Sequence, residues 1–259
     1  MVTWTKQKLS DICEVRDGTH DSPKPAFSGY PLVTSKHIIN NNIDLSSTYL
    51  INENDYNNVN KRSKVDKYDL LIGMIGTVGE VALVKEEPKF AIKNVGLIKT
   101  RNEILGRFIF YYLTSPVGKN GIKSFLSGST QQFISLGKLR DLPITLPDKL
   151  IMEKITSVLM KYDNLIENNK KRIKILEEIA LRIYTEWFVK TIDKDWQYKR
   201  LDSVAKVIRG TSYSSEQISD ENGDYYIVNL KSFNRGGGFR TDGKKYYSGE
   251  ISDEQSLRQ

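Results

Sequence analysis

Residues Pro147 to Phe188 read PDKLIMEKITSVLMKYDNLIENNKKRIKILEEIALRIYTEWF. Within them Ile155, Leu159, Tyr162, Ile166, Asn169, Ile173, Leu176, Ala180, Ile183 and Trp187 follow one another at alternating steps of four and three. That is the a/d spacing of a coiled coil, so the stretch predicts a helix with one apolar face that wants a partner helix. Strong helix formers fill the outward positions, and no Gly or Pro falls between Asp148 and Val189. Asp148, after Pro147, is placed to cap the first turn. A helix of this extent is about 60 Å long, where an ordinary one averages about 12 residues. It is a spacer as much as a core element, and Asn169 in the stripe suits a register-setting buried amide.

After the helix the chain starts again. Trp4, Lys8, Leu9, Val15, Gly18 and Thr19 recur as Trp196, Arg200, Leu201, Val207, Gly210 and Thr211, all 192 positions on. The spacing then lengthens to 195, where Leu32, Val33 and Lys36 meet Ile227, Val228 and Lys231. A short loop insertion produces such a slip, and the chain is therefore a duplicated module. The divisions are 1–147 for a first domain, 148–190 for the helix and 191–259 for the start of a second domain.

The 259 residues carry a net charge of +7, and 1–147 hold +5 of it against +2 for 148–190 and none for 191–259. A basic first domain suits a polyanion held through phosphates. The single Cys13 excludes an internal disulfide and a thiolate metal site, and two histidines, His20 and His37, leave little for imidazole chemistry. No run of about 18 apolar residues occurs, and the polar N-terminus is unlike a signal peptide. A cytoplasmic protein without a membrane partner, cofactor or metal is expected.

Along 1–147, Leu9, Ile12 and Cys13 share one face of a short helical turn, and Tyr30 to Val33 reads as a strand. Thr34-Ser35-Lys36-His37 is a polar cluster where that strand ends, placed either to face DNA or to be a solvated end. A polar, helical stretch ends in Lys61, Arg62, Lys64 and Lys67, cations able to sit on phosphates or to form a solvated face. Asp69 to Met74 and Val81 to Val84 form a hairpin around Gly73, Gly76 and Gly79, with neither a dinucleotide nor a P-loop spacing. Asp69 with Glu87-Pro88-Lys89 is superficially like a nuclease metal site, but the central proline marks a turn where a strand is needed. A further strand over Asn94 to Thr100 and a helix over Leu105 to Leu113 complete a mixed, strand-rich α+β domain.

Gly128-Ser129-Thr130-Gln131, the Leu-Pro-Ile-Thr-Leu-Pro run of 142–147, Leu165-Ile166-Glu167-Asn168-Asn169-Lys170 and Glu186-Trp187-Phe188-Val189 then follow in order. In this order, and with the internal repeat, the chain resembles the specificity subunits of type I restriction-modification systems. The resemblance runs from residue 4 to 189 and resumes at Trp196. It implies a non-catalytic reader of double-stranded DNA: two target-recognition domains, each reading half of a bipartite target, held apart by antiparallel helices. Methyltransferase (modification) subunits and a restriction subunit dock on that frame. A complete member carries a full second recognition domain, whereas the second repeat here stops before any equivalent of the glycine hairpin or the helix.

On this reading Arg16, Thr19, Lys36, His37, Ser129, Thr130 and Gln131 are the candidate base and groove contacts, with Lys61, Arg62 and Lys64 on phosphates. No nucleophile with its base, adenine-methyltransferase motif or nucleotide cradle is evident, so no catalytic or metal residues are assigned. The rival reading is a coiled-coil scaffold whose basic domain binds protein. With one helix per chain, the stripe predicts a homodimer.

Overall fold

A computed structural model of the chain describes residues 3–128, 132–191, 196–240, 242 and 244–252. It divides into two units, 1–178 and 179–259, so the boundary falls inside the long helix and not at either of its ends. In the first unit the order is β1 (Trp4–Lys8), α1 (Leu9–Ile12), β2 (Glu14–Asp17), β3 (Tyr30–Val33), β4 (Ile38–Ile39), β5 (Asn42–Ile43) and β6 (Leu50–Ile51). There follow α2 (Glu53–Ser63), β7 (Leu70–Gly73), β8 (Val81–Leu83), β9 (Ala91–Ile92), β10 (Val95–Lys99) and α3 (Glu103–Thr114). Then come α4 (Pro116–Ser124), α5 (Leu136–Arg140), β11 (Pro143–Pro147) and α6 (Lys149–Thr185).

A four-stranded antiparallel sheet, β2-β10-β7-β8, lies at the centre. Strands β10, β7 and β8 are buried on both faces. Alternation along β7 sends Leu70 and Ile72 into one core with Ile109 and Leu113 of α3, and sends Leu71 into another with Val33, Ile92 and Leu97. This is why β7 reads as an unbroken apolar run, Leu-Leu-Ile. A smaller sheet, β6-β3-β9, pairs β3 with β9 in parallel.

The glycine hairpin is present as β7 and β8, and the helix over Leu105 to Leu113 as α3. A pairing that the local pattern did not announce joins β1 to β11, with Trp4 opposite Pro147 and Lys8 opposite Pro143. The prolines sit on a two-stranded edge, where a missing N–H is tolerated. The Leu-Pro-Ile-Thr-Leu-Pro run is thus a strand that fixes the base of the helix.

Asp148 caps α6 as its sequence position predicts, its carboxylate accepting the Ile151 N–H at 3.0 Å. The first turns of α6 are anchored. Thr156 is buried, and the Tyr111 hydroxyl of α3 donates to Asp163 at 2.7 Å. Burial, followed by that neighbouring carboxylate, raises the tyrosine's pKa, so the hydroxyl stays protonated and donating. Ile155 and Leu159 are half-buried, and from Tyr162 onward the stripe is exposed. The α-helical register ends earlier than the sequence predicts, at Thr185, and a π-helical turn occupies Glu186–Lys190.

The second unit repeats the first. β12 (Ile218–Ser219), β13 (Tyr225–Ile227) and β14 (Lys245–Tyr247) form an antiparallel sheet, and β13 starts 195 positions after β3. Its core is open by comparison. Leu9 and Val15 are 0% and 4% exposed, while their counterparts Leu201 and Val207 are 65% and 74% exposed. With apolar side chains so exposed, the described residues of 196–252 are expected to exchange their amide hydrogens earliest. Protection equal to that of residues 1–147 would show that another chain covers them.

Candidate nucleic-acid interface

The end of the central sheet where Asp17, Gly73 and Val95 lie collects most of the polar residues singled out above. The Thr34–His37 cluster is a 3-10 turn over Ser35–His37 rather than a loose strand end. It is closed from inside, because the Thr34 N–H donates to His37 Nδ1 at 2.9 Å. His37 is 1% exposed, which corrects its assignment as a groove contact: the ring holds the turn together and is not presented to solvent. Burial, and then the charge of Lys36, lower its pKa, so the imidazole stays neutral and Nδ1 remains an acceptor.

Lys36, between buried Ser35 and buried His37, is exposed, and no ion pair engages it among the described residues. The second unit builds the same turn at Leu230–Ser232. There Ser232 is buried and accepts the Asn229 N–H at 3.1 Å, and Lys231 is exposed. A buried cap and an exposed lysine are thus the shared features, while the capping residue itself changes from His to Ser.

Ser35 is the hub of this end. Its hydroxyl donates to the Asn94 carbonyl at 3.0 Å and accepts the Met74 N–H at 3.3 Å, and its own carbonyl accepts the Thr77 hydroxyl at 2.5 Å. The turn, the β9–β10 connection and the glycine hairpin are tied through one side chain. Asn94 stands at φ 53° and its side-chain oxygen meets His20 Nδ1 at 2.8 Å. The other ring nitrogen of His20 is 3.0 Å from Asp17, which also accepts from Arg62 at 2.6 Å. Thr19, half-buried, bridges to Lys93 beside them.

The cations of the α2 end are less free than a charge run suggests. Arg62 is paired with Asp17 and Lys64 with Asp66 at 3.2 Å, while Lys61 donates to Asn58 at 2.9 Å. Arg16 is held by Glu14 and donates to the Arg62 carbonyl at 2.6 Å. All three side chains of the α2 group remain exposed, and Arg16 is half-exposed. Ser129, Thr130 and Gln131 lie outside the described residues. The described residues on either side of them are placed: Phe133 bridges to Ser127 and to Ile75 of the hairpin.

Asp69 belongs to a different structure. It is fully buried and accepts from Lys99 Nζ at 2.8 Å and from the Thr100 N–H at 3.1 Å, so it is a strut inside the domain. The Ser35 hub and the His20–Asp17–Arg62 chain are not legible in the sequence. Their only local sign is the density of short polar residues around positions 17–22 and 34–37.

The first unit is thus an α+β domain that runs directly into a long, largely exposed helix. A profile described as type I restriction modification DNA specificity domain matches residues 1–178, and the chain belongs to that family. It is 26% identical over 260 residues to the type I restriction enzyme MjaIX specificity subunit of Methanocaldococcus jannaschii, covering 90% of this chain and 59% of that protein. It is likewise 26% identical over 247 residues to the putative type I restriction enzyme MjaX specificity subunit of the same organism, covering 84% of this chain and 57% of that one. The chain therefore spans less than two thirds of the length of these relatives. Among solved structures, the S subunit of a type I restriction-modification system from M. genitalium matches with a TM-score of 0.59 at 16% identity, over 96% of this chain and 63% of that one. That likeness is one of fold.

Proposed function

We propose that this chain is a specificity component of a type I restriction-modification complex, in which residues 1–147 read one half of a bipartite site on duplex DNA. It contributes recognition and no catalysis. The observation that carries the reading is the exposed lysine set on an internally capped turn, Lys36 and again Lys231, on a chain whose first domain holds most of the positive charge. Family membership and the specificity-subunit relatives support it. Lys36 and Thr19 contact the groove, as Ser129, Thr130 and Gln131 do in the sequence reading. Lys61, Arg62 and Lys64 lie on phosphates, with Arg16 behind them.

The long helix is the docking and spacing element. Its a/d stripe pairs antiparallel with the same stripe of a second copy, which would set two recognition domains at opposite ends, as two half-sites require. Ile175 is exposed and lies outside that stripe, about 200° around the helix from Ile173. A two-helix pairing leaves it uncovered. That face of the helix is the surface for the methyltransferase subunits, and the restriction subunit joins through that assembly. No helix among the described residues is long and apolar enough to cross a membrane. The site of action is the cytoplasm, where the DNA is.

Copurification with a methyltransferase subunit, followed by mapping of methylated sites, tests the whole reading; methylation with no site preference overturns it. The phosphate-binding cations are tested separately. Replacing Lys61, Arg62 and Lys64 together with Ala is expected to weaken binding to every duplex alike. The slope of log K against log salt should become shallower by about 0.9 for every phosphate that is no longer neutralised. A changed sequence preference with an unchanged salt slope would show that these residues read bases.

A further inference from the structure

The tip of the hairpin between β7 and β8, Ile75-Gly76-Thr77, is exposed at all three residues, although Met74 before it is buried. Ile75 is 46% exposed, and Phe133, its partner in an antiparallel bridge, is 41% exposed. Directly opposed residues present their side chains on one face, so the two form a small apolar patch.

The patch is not loosely held. The Gly73 N–H donates to the Glu80 carbonyl at 2.9 Å, the Gly79 N–H to the Gly73 carbonyl at 3.0 Å, and the Ile134 N–H to the Met74 carbonyl at 3.0 Å. Ser35 grips Met74 and Thr77, as described above. A Cβ on Gly73 would stand 2.1 Å from the Thr77 carbonyl oxygen, so only glycine lets the loop fold back this closely. Gly76, at φ +78°, has open space around it. A rigid loop therefore carries an apolar side chain into water. Lys36 adjoins the Ser35 grip, and Lys138 donates to Ser127 at 2.7 Å beside the Phe133 bridge.

A patch of two apolar side chains is far smaller than the about 800 Å² per partner of a stable protein interface. Its setting among lysines favours a polyanion. The major groove of B-DNA admits a two-stranded β-ribbon, and the thymine methyl is the apolar group displayed there. We propose that the hairpin tip enters the major groove and that Ile75, with Phe133 beside it, contacts a thymine methyl, which makes Ile75 a specificity-determining residue. Ser35 is the positioning residue that fixes the tip against the Lys36 turn. The proposal rests on the DNA-reading function given above.

The test uses the full chain. Duplexes are selected from a random library, and each thymine of the selected sequence is then replaced in turn by deoxyuridine, which removes only the methyl. The unaltered chain should lose about fourfold in affinity at one position, the effect of one buried methyl-sized group. Ile75→Ala should show no such loss there, and its salt slope should stay unchanged because no phosphate contact is removed. Ile75→Leu, which keeps an apolar contact, should retain the sensitivity. Because Ile75 is exposed, these variants leave the core intact, and circular dichroism checks that they do. No deoxyuridine-sensitive position in the unaltered chain, or equal sensitivity in Ile75→Ala, overturns the inference and leaves DNA reading standing. If the unaltered chain binds no duplex at low salt, DNA reading itself falls and the inference with it.

Discussion

A chain carrying Ile166→Asp and Ile173→Asp together is expected to sediment as a monomer at concentrations where the unaltered chain sediments as a dimer. Both isoleucines are more than half exposed, as are Tyr162, Leu176 and Trp187 on the same stripe. Each such side chain that becomes fully buried contributes roughly 1.5 to 3 kcal/mol. In a two-fold pairing every substitution acts twice, so two carboxylates per chain remove several such contributions and place charges in an apolar seam. Asn169, between the two isoleucines, lies in the same seam, where a lone buried amide fixes register at some loss of stability. Sedimentation equilibrium at tens of micromolar decides the matter. A monomeric unaltered chain, or a double variant that is still dimeric, rules out pairing through this helix.

Lys99→Ala is expected to lower the unfolding free energy of the first unit by about 3 to 5 kcal/mol, the usual consequence of removing one partner of a buried ion pair. Lys99 and Asp69 have side chains 3% and 0% exposed, and Nζ also donates to the Lys64 carbonyl and to Asp66, each at 2.8 Å. Loss of the ammonium leaves the Asp69 carboxylate buried with only backbone donors. Urea denaturation measures the difference, with Lys61→Ala as the control. Lys61 is exposed and forms no ion pair among the described residues, so a change within about 0.5 kcal/mol is expected there. Equal losses in the two variants would show that the buried pair contributes nothing special.

The same network sets a pH dependence. Burial disfavours the Asp66 carboxylate, but the hydrogen bond and charge of Lys99, with those of Lys64, outweigh it and hold its pKa below the ordinary 3.8. A group depressed in the folded state contributes its full stability above its unfolded pKa and loses it as the pH falls through the folded value. The first unit should therefore be indifferent to Asp66 titration at neutral pH. It should weaken progressively in acid below about pH 4. Asp66→Asn should flatten that part of the profile, and an unchanged acid limb would exclude Asp66 as a contributor.

The long helix, the glycine hairpin and the duplication are legible in the sequence because each is a local or periodic property. The four-three spacing from Ile155 to Trp187 is set by helix geometry alone, and Asp148 caps the helix using its own neighbours. The slip from 192 to 195 places the second turn correctly at Leu230–Ser232 without reference to any contact. Tertiary structure decides what depends on partners far away in the chain. β1 finds β11 across more than 130 residues, and neither strand is marked by a strong pattern of its own. His37 has the look of a contact because it sits in a polar cluster, but closing the turn requires a buried acceptor and draws the ring inward. Arg62 has the look of a free cation because Asp17, the carboxylate that engages it, lies 45 residues away on β2. Sequence determines which residue types stand near the candidate surface. Burial and long-range pairing decide which of them remain available to a partner, since exposure and charge neutralisation belong to the folded arrangement and not to any stretch of chain.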